Sequence, residues 1–296
     1  MAAQMAHADL SGRASMQTER IQRFVLFIVC LARGLAVIIL GSNYFEIFPT
    51  NGNVTYDVIL SAAFLAAALW LRRTERWNKY WQIAFAFFIA SVVNLIPALE
   101  AGSSTVLGWL NVSIDTSQGT ALLKVYEVLI VLLPILVLTK LSGADLGSIY
   151  LKRGDLKWGL SIGGLVWLNL AASAFLFFAT RFTSMEALGA AILWGLVFSF
   201  ANGFMEELWL RGIFLKRLQP FLGIGGSVLL TSILFALMHG GALYLTPVAI
   251  PFMVANTLTM GLACGYLMMK TNSIWGAVLI HAGADFFLFI ALLGSA

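Results

Sequence analysis

The sequence predicts an all-α fold, a polytopic transmembrane helix bundle of about nine spans, and three observations carry that prediction. The 296-residue chain is 60% hydrophobic and only 11% charged. Its mean hydropathy of +0.90 is far from that of a water-soluble domain. Its apolar residues gather in runs close to the ~20-residue length that crosses a bilayer.

Taken in order, the runs are 21–40, 58–71, 80–99, 122–141, 158–179, 187–218, 227–239, 247–269 and 274–293. The second is short and reaches a spanning length only by extending back through Tyr56. The sixth is too long for one straight span, so it is expected to tilt strongly or to begin as an interfacial segment. Pro97 and Pro134 fall inside runs, where neighbouring helices absorb the kink. Gly163-Gly164, Gly225-Gly226 and the Gly261/Gly265 pair are expected to let helices approach closely. Cys30 and Cys264 lie inside runs and read as small buried residues, with no disulfide framework.

Residues 1–20 are polar, and the apolar stretch after them is longer than a signal-peptide core. They are expected to form a cytoplasmic tail that is not cleaved. Arg13, Arg20 and Arg23 precede the first span. Arg72, Arg73, Arg76 and Lys79 follow the second, and Lys140, Lys152, Arg153 and Lys157 join the fourth to the fifth. Lys216 and Arg217 follow the sixth, and Lys270 lies between the eighth and ninth. Alternate loops hold Glu46, Asp57, Glu100 and Asp115, with Lys124 and Arg181 as the basic exceptions. The positive-inside rule then puts the N-terminus in the cytoplasm and the C-terminus outside, and the expected location is a bacterial inner membrane. The net charge of +4 sits in short loops and does not suggest a nucleic-acid partner.

Organisation changes near residue 185. Residues 21–180 read as N-terminal helices with few intramembrane ionisable groups (Arg33, Glu127), whereas residues 186–293 carry them on three successive helices. The first set is Glu206, Glu207 and Arg211, within Met205-Glu206-Glu207-Leu208-Trp209-Leu210-Arg211-Gly212. The second is Phe235 and His239; the third is His281 and Asp285. Charges at that depth cost about 2.5–3.5 kcal/mol each on insertion scales and mark function by default.

Depth and facing decide how these groups combine. Counting at about 1.5 Å per residue puts Glu206 roughly 16 Å from the helix end near Arg217. The same count puts His239 about 20 Å in from Gly226, with Asp285 and His281 about 18 and 12 Å in from Ser273. Three helices thus deliver polar groups to one layer. Glu207 and Arg211, four apart, share a face and pair, while Glu206 is turned away by about 100° and faces a cavity. The chemistry that fits is water activation: Glu206 and His239 deprotonate a water for attack on a peptide carbonyl, and His281 and Asp285 hold the oxyanion or the leaving amine. Zinc on Glu206, His239, His281 and Asp285 is the metal alternative, although the His-Glu-x-x-His signature is absent. Asn202 and Asn256 read as interhelical hydrogen-bonders.

Glu206-Glu207-x-x-x-Arg211, Phe235-x-x-x-His239 and His281-x-x-x-Asp285, in this order, resemble the three motifs of the CPBP (CAAX protease and bacteriocin-processing, or ABI) family of intramembrane proteases. The resemblance covers roughly residues 186–293, and the 146–158 segment is similar to the lead-in of many bacterial members. It implies that Glu206 and His239 activate water, that His281 and Asp285 stabilise the oxyanion, and that Arg211 holds Glu207. Asp285 stands where the family often has Asn, and a carboxylate donates to an oxyanion only when protonated. Members have been described both as metalloproteases and as glutamate-dependent enzymes. The expectation is a membrane endopeptidase that needs no cofactor, with zinc as the alternative, acting on a membrane-associated or lipidated protein or peptide in contact with membrane lipid. The rival readings are a non-catalytic scaffold or bacteriocin-immunity protein and, further off, a transporter. A transporter tends to show ionisable residues in both halves, which the first five spans lack.

Overall fold

A backbone in lipid must satisfy its polar groups within itself, and nearly all of this chain does so as helix. The computed structural model describes residues 2–41, 50–99, 102–241 and 246–293. Ten helices follow one another: α1 Ala2–Gly34, α2 Thr50–Arg73, α3 Trp81–Leu99, α4 Gly102–Leu110, α5 Ser117–Leu141, α6 Leu156–Phe178, α7 Met185–Glu207, α8 Leu215–His239, α9 Ile250–Thr271 and α10 Trp275–Leu293. π-Helical segments extend α1 through Leu35–Leu40 and α7 through Leu208–Gly212. Among the described residues there is no strand. Thr116, Asp155 and Ser184 cap α5, α6 and α7, each side chain accepting from a backbone N–H three residues on.

Each apolar run of the sequence is helical over most of its length, and eight helices among the described residues are long and apolar enough to cross a membrane. The chain is therefore a polytopic all-α membrane protein. α3 fills the remaining run. The short helix α4 lies in a stretch with no apolar run.

Three boundaries differ from expectation. The sixth run is not one continuous helix: the span that begins at Met185 ends in the π segment at Gly212, and Ile213 and Phe214 separate it from α8. α8 begins at Leu215 and is bent at Gly223, whose φ of 70° takes the chain out of helix. α2 reaches back to Thr50, so Asp57 lies in that helix rather than in a loop and is fully buried. Lys124 likewise sits in α5, where it pairs with Glu127 at 2.5 Å. Glu46 and Glu100 fall outside the described residues.

Around the C-terminal helices, α10 packs against α6, α7 and α9, α8 against α9, and α5 against α7, while α1 lies along α8. The main core gathers Leu208, Ile213, Phe214 and Phe235 with Phe87 and Ile89 of α3. A second cluster joins Ala171, Ala174, Ala191, Phe286 and Ile290 where α6, α7 and α10 meet. Both cysteines are buried and unpaired. The 146–158 lead-in docks on the α9–α10 turn, Asp155 N donating to Thr271 O at 2.7 Å and Ile274 N to Tyr150 O at 3.2 Å.

Close approach of α6 and α10 requires Gly163 and Gly276, and a Cβ on Gly163 would stand 2.5 Å from Gly276 O. A Cβ on Gly276 would stand 2.7 Å from Gly159 O and 2.8 Å from a Leu267 methyl. Gly261 and Gly265 serve α9 against Ser232 and Val228 of α8 in the same way. Gly164 and Gly225, expected to do likewise, have nothing within 4 Å of where a Cβ would be. Gly276→Leu is therefore expected to lower stability by at least the ~1–3 kcal/mol of an overpacked core, whereas Gly164→Leu is neutral. Thermal unfolding of the two variants in detergent checks the contrast.

Candidate active site

The C-terminal turns of α7 present an unusually polar face to the inside of the bundle. Ser199, Asn202, Glu206 and Glu207 recur at helical spacing and are all buried. Gly203, between them, lets α10 come close: a Cβ there would lie 3.3 Å from the His281 Cβ. The helical run beyond Glu206 stops at Gly212, so Glu206 lies about 9 Å from that end at ~1.5 Å per residue, nearer than the roughly 16 Å counted from Arg217.

Glu207 anchors the site. Its Oε1 takes Arg211 Nη1 at 2.5 Å and His281 Nδ1 at 2.8 Å, with all three side chains fully buried. The Arg211 pairing follows from the four-residue spacing; the bond to His281 joins α7 to α10 and had no signal in the sequence. The Arg211 guanidinium also lies over the Phe235 ring, 4.3 Å from its centre. That ring meets His281 edge-on at 5.4 Å and His239 at 4.4 Å, so Phe235 is the apolar wall on which the charged groups are set.

The hydrogen bonds fix how both imidazoles face. His239 Nδ1 lies 2.9 Å from Phe235 O, a group that only accepts, so Nδ1 carries the proton. His281 Nδ1 faces a carboxylate and does the same. Each ring therefore turns Nε2 to the interior, and both Nε2 atoms lie 3.7 Å from Glu206 Oε2. That Oε2 is buried without a hydrogen-bond partner, as is His281 Nε2. A separation of 3.7 Å is too long for a direct hydrogen bond. Asp285 Oδ2 is 3.7 Å from His281 Nε2 and accepts from Asn202 Nδ2 at 2.9 Å.

The four residues singled out for chemistry, Glu206, His239, His281 and Asp285, thus come together around one space. Asn202 is an interhelical hydrogen-bonder as expected, but Asn256 is exposed on α9. Phe235 and Gly203 support the site in ways that only packing reveals. Among the described residues, no group of three His, Cys, Asp or Glu side chains is arranged to hold a metal ion.

A helical membrane bundle that buries a glutamate between two imidazoles holds groups of the kind that general acid–base chemistry uses. Residues 188–287 match the family model described as Rce1-like, type II CAAX prenyl endopeptidase Rce1-like. That segment carries all three motifs, and the match bears out the resemblance to the CPBP proteases. It supports an intramembrane endopeptidase in general. No curated protein and no solved structure matches the chain.

Proposed function

We propose that the chain hydrolyses a peptide bond in a membrane-associated or lipidated protein, with Glu206 as general base. The observation that carries this reading is the buried, unpartnered Glu206 Oε2 equidistant from two imidazole Nε2 atoms. Glu206 takes a proton from water as the water oxygen bonds to the scissile carbonyl carbon. His239 Nε2, on the same space, accepts a hydrogen bond from that water and orients it. The oxyanion that forms is met by His281 Nε2 when the ring carries both protons, and Glu207 against Nδ1 is the counter-charge for that form. As the tetrahedral intermediate collapses, the C–N bond breaks and the proton held by Glu206 passes to the departing amine. Asp285, fixed by Asn202, positions His281 from its open side.

The reading places the protein in a bacterial cytoplasmic membrane with its N-terminus in the cytoplasm. Quantitative mass spectrometry of membrane peptides from cells making wild-type or His239→Ala protein tests it. Peptides released only by the wild type are expected, and identical profiles would refute the assignment. The mechanism as written needs no metal. Prolonged chelation of the purified protein is expected to leave cleavage unchanged; stoichiometric zinc that leaves together with activity would overturn that part.

A further inference from the structure

Away from the glutamate–histidine cluster, two cavities adjoin at the end of the bundle where basic residues collect. The first, of about 160 Å³, lies among Gln82, Ser142, Gly143, Ser148, Lys216 and Arg217. The second, of about 300 Å³, is an apolar groove between α2, α3 and α5, bounded by Leu65, Leu69, Phe88, Leu138 and Leu141, with Arg72 at its rim. Trp81, Phe85 and Ser142 line both, so the polar cavity opens directly into the apolar one. Neither shares a lining residue with the candidate active site.

Arg217 makes the polar cavity unusual. It is only 6% exposed, and one of its N–H groups donates to Ile213 O at 2.6 Å. Among the described residues no carboxylate pairs with it, and a buried cation without a counter-charge is costly. Lys216 beside it donates to Gly147 O and lies over the Tyr150 ring at 4.6 Å, which leaves two further ammonium N–H groups. The neighbouring acid, Asp145, is engaged in capping Ser148 N at 2.8 Å. The cavity therefore offers guanidinium and ammonium donors with no carboxylate on its lining, which is the chemistry of a phosphate site, while the Ser142 and Ser148 hydroxyls donate to Thr139 O and Asp145 O.

We propose that the two cavities together form a binding site for an anionic phospholipid. Its phosphate sits between Arg217 and Lys216, and one acyl chain lies in the α2–α3–α5 groove. Basic pockets between transmembrane helices take anionic headgroups in this way, and the continuity of the groove distinguishes a lipid from a free anion. The assignment does not depend on the proposed peptidase activity.

The test is native mass spectrometry of the delipidated full-length protein titrated with phosphatidylglycerol, phosphatidylcholine or inorganic phosphate. At least tenfold tighter retention of phosphatidylglycerol than of phosphatidylcholine is expected, with no displacement by inorganic phosphate at equal concentration. Arg217→Gln is expected to remove the preference. Because that change disturbs a buried bond, Leu69→Trp, at a half-exposed position, provides a second arm: by filling the groove it should weaken phosphatidylglycerol binding at least tenfold. Equal retention of the two lipids overturns the proposal, as does unaltered binding in Leu69→Trp or in a folded Arg217→Gln protein. Displacement by inorganic phosphate also overturns it, in favour of a soluble-anion site.

Discussion

Glu206→Gln is expected to lower the cleavage rate by about 10²–10⁴-fold, the range that a positioned general base supplies. The amide has nearly the shape of the carboxylate but cannot take a proton from water. The change should spare the fold, because Glu206 Oε2 makes no hydrogen bond that the amide would break. Substrate should still bind, so the variant would accumulate an uncleaved complex. Single-turnover cleavage and thermal unfolding on the same preparation separate the possibilities. Wild-type turnover in the variant would end the general-base assignment. Loss of turnover together with loss of the folded state would place Glu206 in the architecture instead. A scaffold or immunity protein would be indifferent to the change.

Arg211→Met is expected to produce the largest loss of stability of any single change near the site. The guanidinium is fully buried, held by Glu207 at 2.5 Å and stacked on Phe235. Gly261 leaves it room: a Cβ there would come within 2.9 Å of Arg211 Nη2. Removing one partner of a buried ion pair costs about 3–5 kcal/mol, chiefly because the other charge is left without compensation. Here that charge is Glu207, whose remaining partner is His281. The double change Arg211→Met with Glu207→Gln should regain part of the loss, since it removes both charges together. Denaturation of the two single variants and the double variant measures the coupling. A single Arg211→Met protein as stable as the wild type would show that the pair does not hold α7 in place.

The helices and the three motifs were legible because hydropathy and four-residue spacing are local properties. Glu207 with Arg211 needed only the helical repeat. What escaped depends on partners far along the chain. Asn202 and Asn256 are the same residue type in similar runs, yet one binds Asp285 and the other is exposed. Asp57 has polar neighbours that read as a loop, yet α2 carries it into the bundle, where its Oδ1 would lie 2.5 Å from a Cβ on Gly41. The break after Gly212 is invisible to hydropathy, since Ile213, Phe214 and Leu215 are as apolar as the residues before them. Both imidazoles were expected near Glu206, but their orientation came from a carbonyl and a carboxylate that spacing does not reveal.

The widened turn at Leu208–Gly212 makes the length of this stretch as consequential as its composition. In a π-helix each backbone bond closes over five residues instead of four, so the segment holds extra chain in the same rise. Deleting one residue there would let the ladder tighten to the ordinary repeat while the chain beyond it keeps nearly the same phase. A deletion from the ordinary helical turns before Glu206 would instead turn everything beyond it by about 100°. The link between the glutamate pair and the next helix thus holds slack that the turns on either side of it lack.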